Sequence, residues 1–326
     1  GGVSPNPKVS LVRKGVALCR REGLDFVLAV GGGSVIDSAK AIAMGAATGR
    51  DPWEFASTGT RPDKTLPVAT VLTLAASGSE TSNSCVLTNE ETKEKRGITS
   101  ETNRPVISFL DPENTFTVSK FQTGCGIVDI MMHTLERYLT PEGGESDLTD
   151  RIAEGLLIAT RDAGRRAIAD PRDYEARATL MWAGSVSHND YTGCGRKRLF
   201  PVHKLEHELS AFRDEIAHGA GLSVLFPAWA EHEMQYDYPR FAQFANRVLG
   251  VEMDFEHPER TAREGIRTLR RFFEEIGMPT HLSQLGIKPE NYEKLAANTV
   301  RTVNGPVKSY SPLDEKAIIE IYRLAE

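Results

Sequence analysis

The sequence predicts an α/β domain over residues 1–117, followed by an all-α domain over residues 118–326. Short apolar runs alternate with segments of helical periodicity up to about Thr117, and long helical segments dominate beyond it. Strands that alternate with helices are typical of a parallel, doubly wound sheet. We therefore place the domain boundary between residues 112 and 120.

In the first domain, three apolar segments rich in β-branched residues have the length of buried strands. They span residues 26–30, 66–74 and 105–110. Amphipathic helices are predicted before the first strand, at residues 9–22, and directly after it, at residues 35–45. A strand, a glycine turn, a helix and a further strand in this order predict a Rossmann-like sheet.

The second domain reads as a series of helices with few interruptions. The predicted helices span residues 123–138, 148–170, 174–187, 203–212, 221–234, 239–249, 258–276 and 314–325.

Composition excludes several classes of protein. Of the 326 residues, 40% are apolar and 26% charged, as in ordinary globular domains. The formal net charge of -6 argues against a nucleic-acid partner. The four cysteines are scattered without a CxxC pair, which favours reduced thiols and a cytoplasmic location. No apolar run reaches eighteen residues and no signal peptide is evident, so we expect no membrane association.

Three glycines and a serine, residues 31–34, join the first strand to the next helix. Such a turn exposes backbone N–H groups at a helix N-terminus, where phosphate binds well. The segment matches neither GxGxxG nor a P-loop, so a tight turn without a ligand is an equal alternative. Asp37 and Lys40 follow in the first turns of the helix, and Lys40 is expected either to pair with phosphate or to be solvated.

A second polar loop, residues 73–84, follows the next strand. Ligands of open α/β sheets bind at the carboxyl ends of strands, which makes Thr73 and Ser77 candidate contacts. A turn of small residues without a ligand is the alternative. Lys95 lies in a charged stretch, where a surface lysine is the ordinary interpretation.

Two pairs of potential metal ligands occur at helical i, i+4 spacing, Asp129 with His133 and His203 with His207. Residues four apart share one helix face, so each pair can direct two donors at one point. Asp129 lies in an apolar stretch, and a buried carboxylate must be paired, hydrogen-bonded or bound to a metal. With His218, these donors suit Fe, Zn or Co. Five donors exceed the usual four, so one should have another task.

Six segments in order make a specific set: GGGSVIDSAKAIA, ASGSE, DPENTFT, GIVDIMMHTLE, HKLEHELSA and HGAGLSVLFPAW. Together they resemble the iron-containing (group III) alcohol dehydrogenases, in particular the butanol dehydrogenase-like branch, over essentially the whole chain. The resemblance implies an N-terminal nucleotide-binding domain, a C-terminal helical metal-binding domain and an active site in the cleft between them. It also implies a homodimer.

The same resemblance assigns roles to single residues. It implies that Asp129, His133, His203 and His218 bind the metal, and that His207 is a catalytic residue that relays a proton. It implies cofactor contacts from Gly32, Gly33, Ser34, Asp37, Thr73, Ser77 and Lys95. Fe²⁺ is the favoured metal with Zn²⁺ as the alternative, and the cofactor is NAD or NADP.

Two departures from the family pattern stand out. The family begins with a strand, a helix and a strand that would precede Gly1, so we expect a truncated sheet with an unpaired edge and exposed apolar side chains. The segment between His207 and His218 is one residue longer than usual, with the extra residue near residues 213–215 in a loop. The loop is expected to absorb it.

The favoured function is therefore hydride transfer between a nicotinamide and a short-chain alcohol or aldehyde bound to a divalent metal. A dehydroquinate synthase-like lyase of the same superfamily is one alternative, although it requires a basic pocket for a phosphorylated substrate. An inactive, truncated fragment is the other.

Overall fold

A computed structural model describes residues 2–144 and 146–326. Within these ranges, the strands are β1 (Val27–Gly31), β2 (Val68–Leu72), β3 (Ser84–Asn89), β4 (Glu94–Thr99) and β5 (Ile107–Leu110). Strands β1, β2 and β5 form a parallel sheet in the order β1-β2-β5, as the apolar runs predicted. Strands β3 and β4 form an antiparallel hairpin that the sequence did not predict, because its charged and small residues hide the strand alternation.

Most of the other described residues lie in α-helices. Their bounds are α1 (Val9–Glu22), α2 (Gly33–Thr48), α3 (Pro52–Thr58), α4 (Lys120–Tyr138), α5 (Asp147–Ala169), α6 (Tyr174–His188), α7 (Pro201–Phe212), α8 (His218–Glu233), α9 (Tyr238–Leu249), α10 (Pro258–Glu275), α11 (Tyr292–Thr302) and α12 (Glu315–Leu324). Each predicted helix is present within a few residues of its expected ends, whereas α3 and α11 were not predicted. Among the described residues, none of these helices is both long and apolar enough to span a membrane.

The parallel sheet is covered on one face only. Ala29 and Leu72 pack there against Ile36 of α2 and Met181 of α6. The opposite face carries side chains that are about half exposed, namely Leu28, Val30, Ile107 and Phe109.

Helix α4 is the centre of the helical domain. Its N-terminus is capped by Ser119, whose side chain accepts a hydrogen bond from the Gln122 N–H. From Thr123 to Tyr138 every residue is buried, and α4 contributes to the largest apolar core of the molecule. Asp129 and His133 therefore lie inside this core, where unpaired polar groups are costly.

The loop between α7 and α8 is short and closed by a backbone hydrogen bond. Helix α7 ends at Phe212, and the Ile216 N–H donates to the Arg213 carbonyl in a turn before His218 begins α8. A Cβ on Gly219 would lie 2.1 Å from the Cys125 carbonyl oxygen, so only glycine lets the start of α8 approach α4 this closely. The loop and this close approach place His218 beside α4.

Lys40 is neither solvated nor available to a phosphate. Its side chain is fully buried, and its ammonium donates to the carbonyls of Ser79, Ser82 and Ser84 at 2.6, 2.9 and 2.9 Å. All three N–H donors of the ammonium therefore have acceptors. Both expectations for Lys40 are wrong, because the loop after β2 covers the side chain and its carbonyl groups accept hydrogen bonds from the buried ammonium.

Replacing this cation should destabilise the fold. In a Lys40→Met variant, carbonyl groups of residues 79–84 lose their donor, at about 1–3 kcal/mol for each buried group left unpaired. We expect the free energy of unfolding, measured by urea denaturation, to fall by about 2–4 kcal/mol. Lys14→Met, at an exposed position of α1, is the control and should change it by less than about 0.5 kcal/mol. Equal stabilities of the two variants would contradict the internal-cation role.

Candidate metal and cofactor site

One cavity of about 1450 Å³ brings the two groups of predicted site residues together. The candidate metal ligands and His207 form part of its wall, and the candidate cofactor contacts form another part. The predicted residues that line it are Gly32, Gly33, Ser34, Asp37, Thr73, Ser77, Lys95, Asp129, His133, His203, His207 and His218.

Three imidazoles surround one oxygen of Asp129. Its Oδ1 lies 3.7 Å from each of three nitrogens: Nδ1 of His133, Nε2 of His203 and Nε2 of His218. Donors bound tetrahedrally at about 2.1 Å from Zn²⁺ lie about 3.4 Å from one another, close to these spacings. Among the described residues, Oδ1 of Asp129, Nδ1 of His133 and Nε2 of His203 are buried without a hydrogen-bond partner. Buried donors that converge without partners fit a bound cation.

Two buried carboxylates orient the histidine rings. Glu136 pairs with Nδ1 of His203, and its second oxygen accepts the Val202 N–H at 2.6 Å. Glu206 pairs with Nδ1 of His218. When Nδ1–H donates to a carboxylate and Nε2 carries no proton, the Nε2 lone pair is free to bind a cation beside Asp129 Oδ1, the usual arrangement behind metal-bound histidine.

Sequence reasoning missed both carboxylates, although a signal was present. Asp129, His133 and Glu136 occupy positions i, i+4 and i+7, which share one face of α4. Glu206 lies between the two histidines of α7. Only the fold shows which imidazole each carboxylate contacts.

His133 is held neutral by its surroundings. Burial lowers its pKa well below the ordinary value, and the nearby His188, His203 and Arg137 add to this effect. The His188 ring lies 4.0 Å from the His133 ring, and its Nε2 is 3.0 Å from Ser84 Oγ. His188 was not predicted, because it is a lone histidine at the end of α6 and only the tertiary structure brings it to the cavity.

Asp129, His203 and His218 offer ligand atoms within 4.8 Å of one another, and so does a second set, Glu206, His207 and His218. It does not suit a cation, because the Lys95 ammonium lies 3.4 Å from Glu206 Oε2 and supplies the positive charge there. Burial and Lys95 together lower the pKa of His207 well below its ordinary value. His207 therefore lines the cavity as a neutral base outside the Asp129 cluster.

The nucleotide side of the cavity is built on the start of α2. Gly32 caps this helix, and a Cβ on Gly33 would lie 2.3 Å from Ser77 Oγ, so the turn and the loop after β2 fit only without a side chain. Backbone N–H groups at a helix start are suited to a pyrophosphate.

Asp37 and Lys95 are engaged with the protein itself. The carboxylate of Asp37 accepts from Ser79 Oγ at 2.6 Å and from the Val86 N–H at 2.9 Å, and burial raises its pKa. Lys95 is buried, with its ammonium 3.0 Å from Ser210 Oγ and in an ion pair with Glu206. The interpretation of Lys95 as an ordinary surface lysine is wrong.

A cavity that joins a glycine turn at a helix start to three histidines and a carboxylate is the arrangement of a metal-dependent, dinucleotide-linked oxidoreductase. The chain belongs to the iron-containing alcohol dehydrogenase family. Residues 1–112 match the family described as iron-containing alcohol dehydrogenase, and residues 123–325 match its C-terminal domain.

Individual relatives agree with this assignment. The chain is 40% identical to the NADH-dependent butanol dehydrogenase A of Clostridium acetobutylicum, over 99% of this chain and 82% of the relative. It is 35% identical to the NADPH-dependent aldehyde reductase YqhD of Escherichia coli, over 88% of this chain and 74% of the relative. The crystal structure of NADH-dependent butanol dehydrogenase A from Thermotoga maritima superposes with a TM-score of 0.94 at 36% identity, over 99% of this chain and 82% of that one.

Metal uptake by the metal-free protein should depend on pH through His203. Burial alone would lower the pKa of this imidazole, but Glu136 and Asp129 raise it to about 9. The proton must leave before Nε2 binds a cation, so Zn²⁺ affinity should rise with pH up to about 9 and then level off. Calorimetry in buffers of different ionisation enthalpy should detect about one released proton near neutral pH.

The control for this titration is Glu136→Gln, which removes one of the charges that raise the His203 pKa. Proton release should then end at a lower pH. An affinity that is constant from neutral pH to about 9 in the unsubstituted protein would contradict the assignment.

Proposed function

We propose that this protein reduces short-chain aldehydes, or oxidises the corresponding alcohols, with NADH or NADPH at a divalent metal bound by Asp129, His133, His203 and His218. The observation that supports this most is the buried Asp129 Oδ1, which faces three imidazole nitrogens at 3.7 Å without a hydrogen-bond partner among the described residues. The named activities of the butanol dehydrogenase and aldehyde reductase relatives support the reaction class.

The donor set and the family description favour Fe²⁺, and Zn²⁺ suits the same ligands. When bound, the cation acts as a Lewis acid on the carbonyl oxygen of the substrate. Glu136 and Glu206 hold the rings of His203 and His218 in the orientation that such a centre needs. His133 is available as a neutral donor, because burial lowers its pKa well below the ordinary value.

The cofactor is proposed to lie along the other part of the cavity wall. Gly32, Gly33 and Ser34, at the start of α2, are proposed to bind its pyrophosphate, while Thr73 and Ser77 contact it from the loop after β2. Asp37 also supports this wall of the cavity, because its carboxylate accepts hydrogen bonds from Ser79 of that loop and from Val86 of β3.

Proton transfer is proposed for His207. It lines the cavity, is neutral near pH 7 because burial and Lys95 lower its pKa, and lies 5.7 Å from the His218 ring between centroids. A neutral imidazole accepts the proton of an alcohol in the oxidative direction and, once protonated, returns it in the reductive direction.

A cytoplasmic location and a homodimer are proposed as well. The cysteines are free thiols, with Cys19, Cys85 and Cys125 buried and Cys194 exposed, as expected in a reducing compartment. The homodimer rests on family membership, and light scattering after gel filtration measures it directly.

The reaction is tested by removing and restoring the metal. The purified chain is stripped with a chelator, reloaded anaerobically with Fe²⁺ or with Zn²⁺, and assayed for NADH and NADPH oxidation with butanal. We expect activity only in the reloaded protein, and little or none in Asp129→Asn, because a neutral amide replaces the anionic oxygen ligand. A folded, metal-loaded chain that oxidises neither cofactor contradicts the proposal.

Two further measurements separate the alternatives. Release of phosphate from the sugar-phosphate substrate of dehydroquinate synthase would indicate the lyase. A melting temperature that does not change on addition of NADPH would indicate an inactive fragment, because a ligand of the native state raises it.

His207→Gln should reduce turnover by about 10²–10⁴-fold, since general acid–base catalysis contributes that much. Metal content, measured by elemental analysis, should be unchanged because His207 lies outside the Asp129 cluster. His257→Gln, at an exposed position before α10, is the matched control. Loss of the metal together with the activity would instead make His207 a ligand.

A further inference from the structure

A buried ionic network, made of Lys95, Glu206 and His218, links the β3–β4 hairpin to the candidate metal centre. Lys95 of β4 and Glu206 of α7 form an ion pair at 3.4 Å, and their side chains are 6% and 0% exposed. The same Glu206 oxygen, Oε2, accepts the hydrogen bond of His218 Nδ1. Three residues from three different elements thus meet at one carboxylate oxygen.

This ionic network differs from an ordinary structural ion pair. Glu206 Oε1 has no hydrogen-bond partner among the described residues, so the carboxylate is not satisfied by the protein as a stabilising pair would be. Glu208, two residues further along α7, is a contrasting case. Its carboxylate is also buried, but it accepts from Thr302 Oγ1 and contacts none of the candidate ligands.

Lys95 also faces the cofactor part of the cavity. It lines the same space as Gly32 and Ser77, and its neighbours Arg96 and Gly97 on β4 line it too. Lys95 therefore contacts Glu206, the carboxylate that orients His218, and it also borders the proposed cofactor space.

We propose that Lys95 and Glu206 are positioning residues that couple metal binding at His218 to cofactor binding in the cavity. This inference rests on the proposed function. A cofactor in the cavity restricts the hairpin wall that carries Lys95, Lys95 fixes Glu206, and Glu206 fixes the His218 ring with Nε2 towards Asp129. Because one carboxylate oxygen contacts both Lys95 and His218, a contact that fixes Lys95 also fixes the His218 ring, so binding of one ligand raises the affinity for the other.

The coupling is reciprocal by thermodynamic necessity. The factor by which NADH increases metal affinity must equal the factor by which the metal increases NADH affinity. Couplings of this kind usually amount to about 5-fold or more. Loss of the Lys95–Glu206 contact should remove this factor. Loss of a merely stabilising contact would change the Zn²⁺ affinity equally with and without NADH, and the ratio of these two affinities would stay the same.

The test measures Zn²⁺ affinity by competition with a fluorescent chelator, with and without NADH at a concentration that saturates each variant. In the unsubstituted protein we expect NADH to increase Zn²⁺ affinity about 5-fold or more. In Lys95→Met and in Glu206→Gln the ratio should be close to one. Glu206→Gln should also weaken Zn²⁺ binding itself by about 10–100-fold, as is usual for a partner of a metal-bound histidine.

Two controls separate positioning from stability. Lys95→Arg keeps a cation on Glu206 and should retain the ratio. Glu233→Gln should retain it too, because this buried carboxylate of α8 accepts from Ser309 and Ser311 and is not among the described residues that line the cavity. A Lys95→Met variant that binds both ligands and keeps the full ratio overturns the inference. An unsubstituted chain that binds Zn²⁺ and NADH independently overturns the coupling and leaves the proposed function intact, whereas failure to bind either ligand overturns both.

Discussion

The site depends on one unfavourable placement, the burial of the Asp129 carboxylate inside an apolar core. Helix α4 buries every residue from Thr123 to Tyr138, and the oxygen that faces the histidines has no hydrogen-bond partner among the described residues. Burial of an unpaired carboxylate costs several kcal/mol. The surrounding helices α7 and α8 bring imidazoles to it, and two further carboxylates stand behind those imidazoles. The arrangement is polar on the inside and apolar around it, which strengthens electrostatic interactions at its centre.

Periodicity predicted the architecture well, because long amphipathic helices and short β-branched strands leave clear patterns. It failed at the β3–β4 hairpin, where the strand Glu94–Thr99 contains Lys95 and Arg96. A lysine in a strand is normally a surface residue, and only the packing of β4 against α7 buries it. Composition could not reveal that contact, since Lys95 and Glu206 are 111 residues apart.

The candidate site shows the same limit at the level of single side chains. Spacing placed Asp129 with His133 and His203 with His207 on helix faces, but it could not say that Glu136 would support His203 or that Lys40 would serve an internal loop. Those roles depend on which atoms meet across elements distant in sequence. Family resemblance supplied the proposed ligand set. The fold showed the carboxylates behind His203 and His218, and it showed that Lys95 pairs with one of them.

The start of α8, with Gly219 pressed against α4, has a consequence for the lifetime of the folded protein. The proposed ligands come from α4, α7 and α8, and a metal bound by them cross-links positions 129 and 218 across some ninety residues of chain. In the chain-entropy view, a cross-link that closes about 100 residues restricts the unfolded ensemble by about 4–5 kcal/mol, as a disulfide would. The four cysteines are free, so the protein has no disulfide to provide this restraint. Release of the metal would thus remove the cross-link between the three helices. The resistance of the protein to proteolysis would then depend on whether the metal is bound.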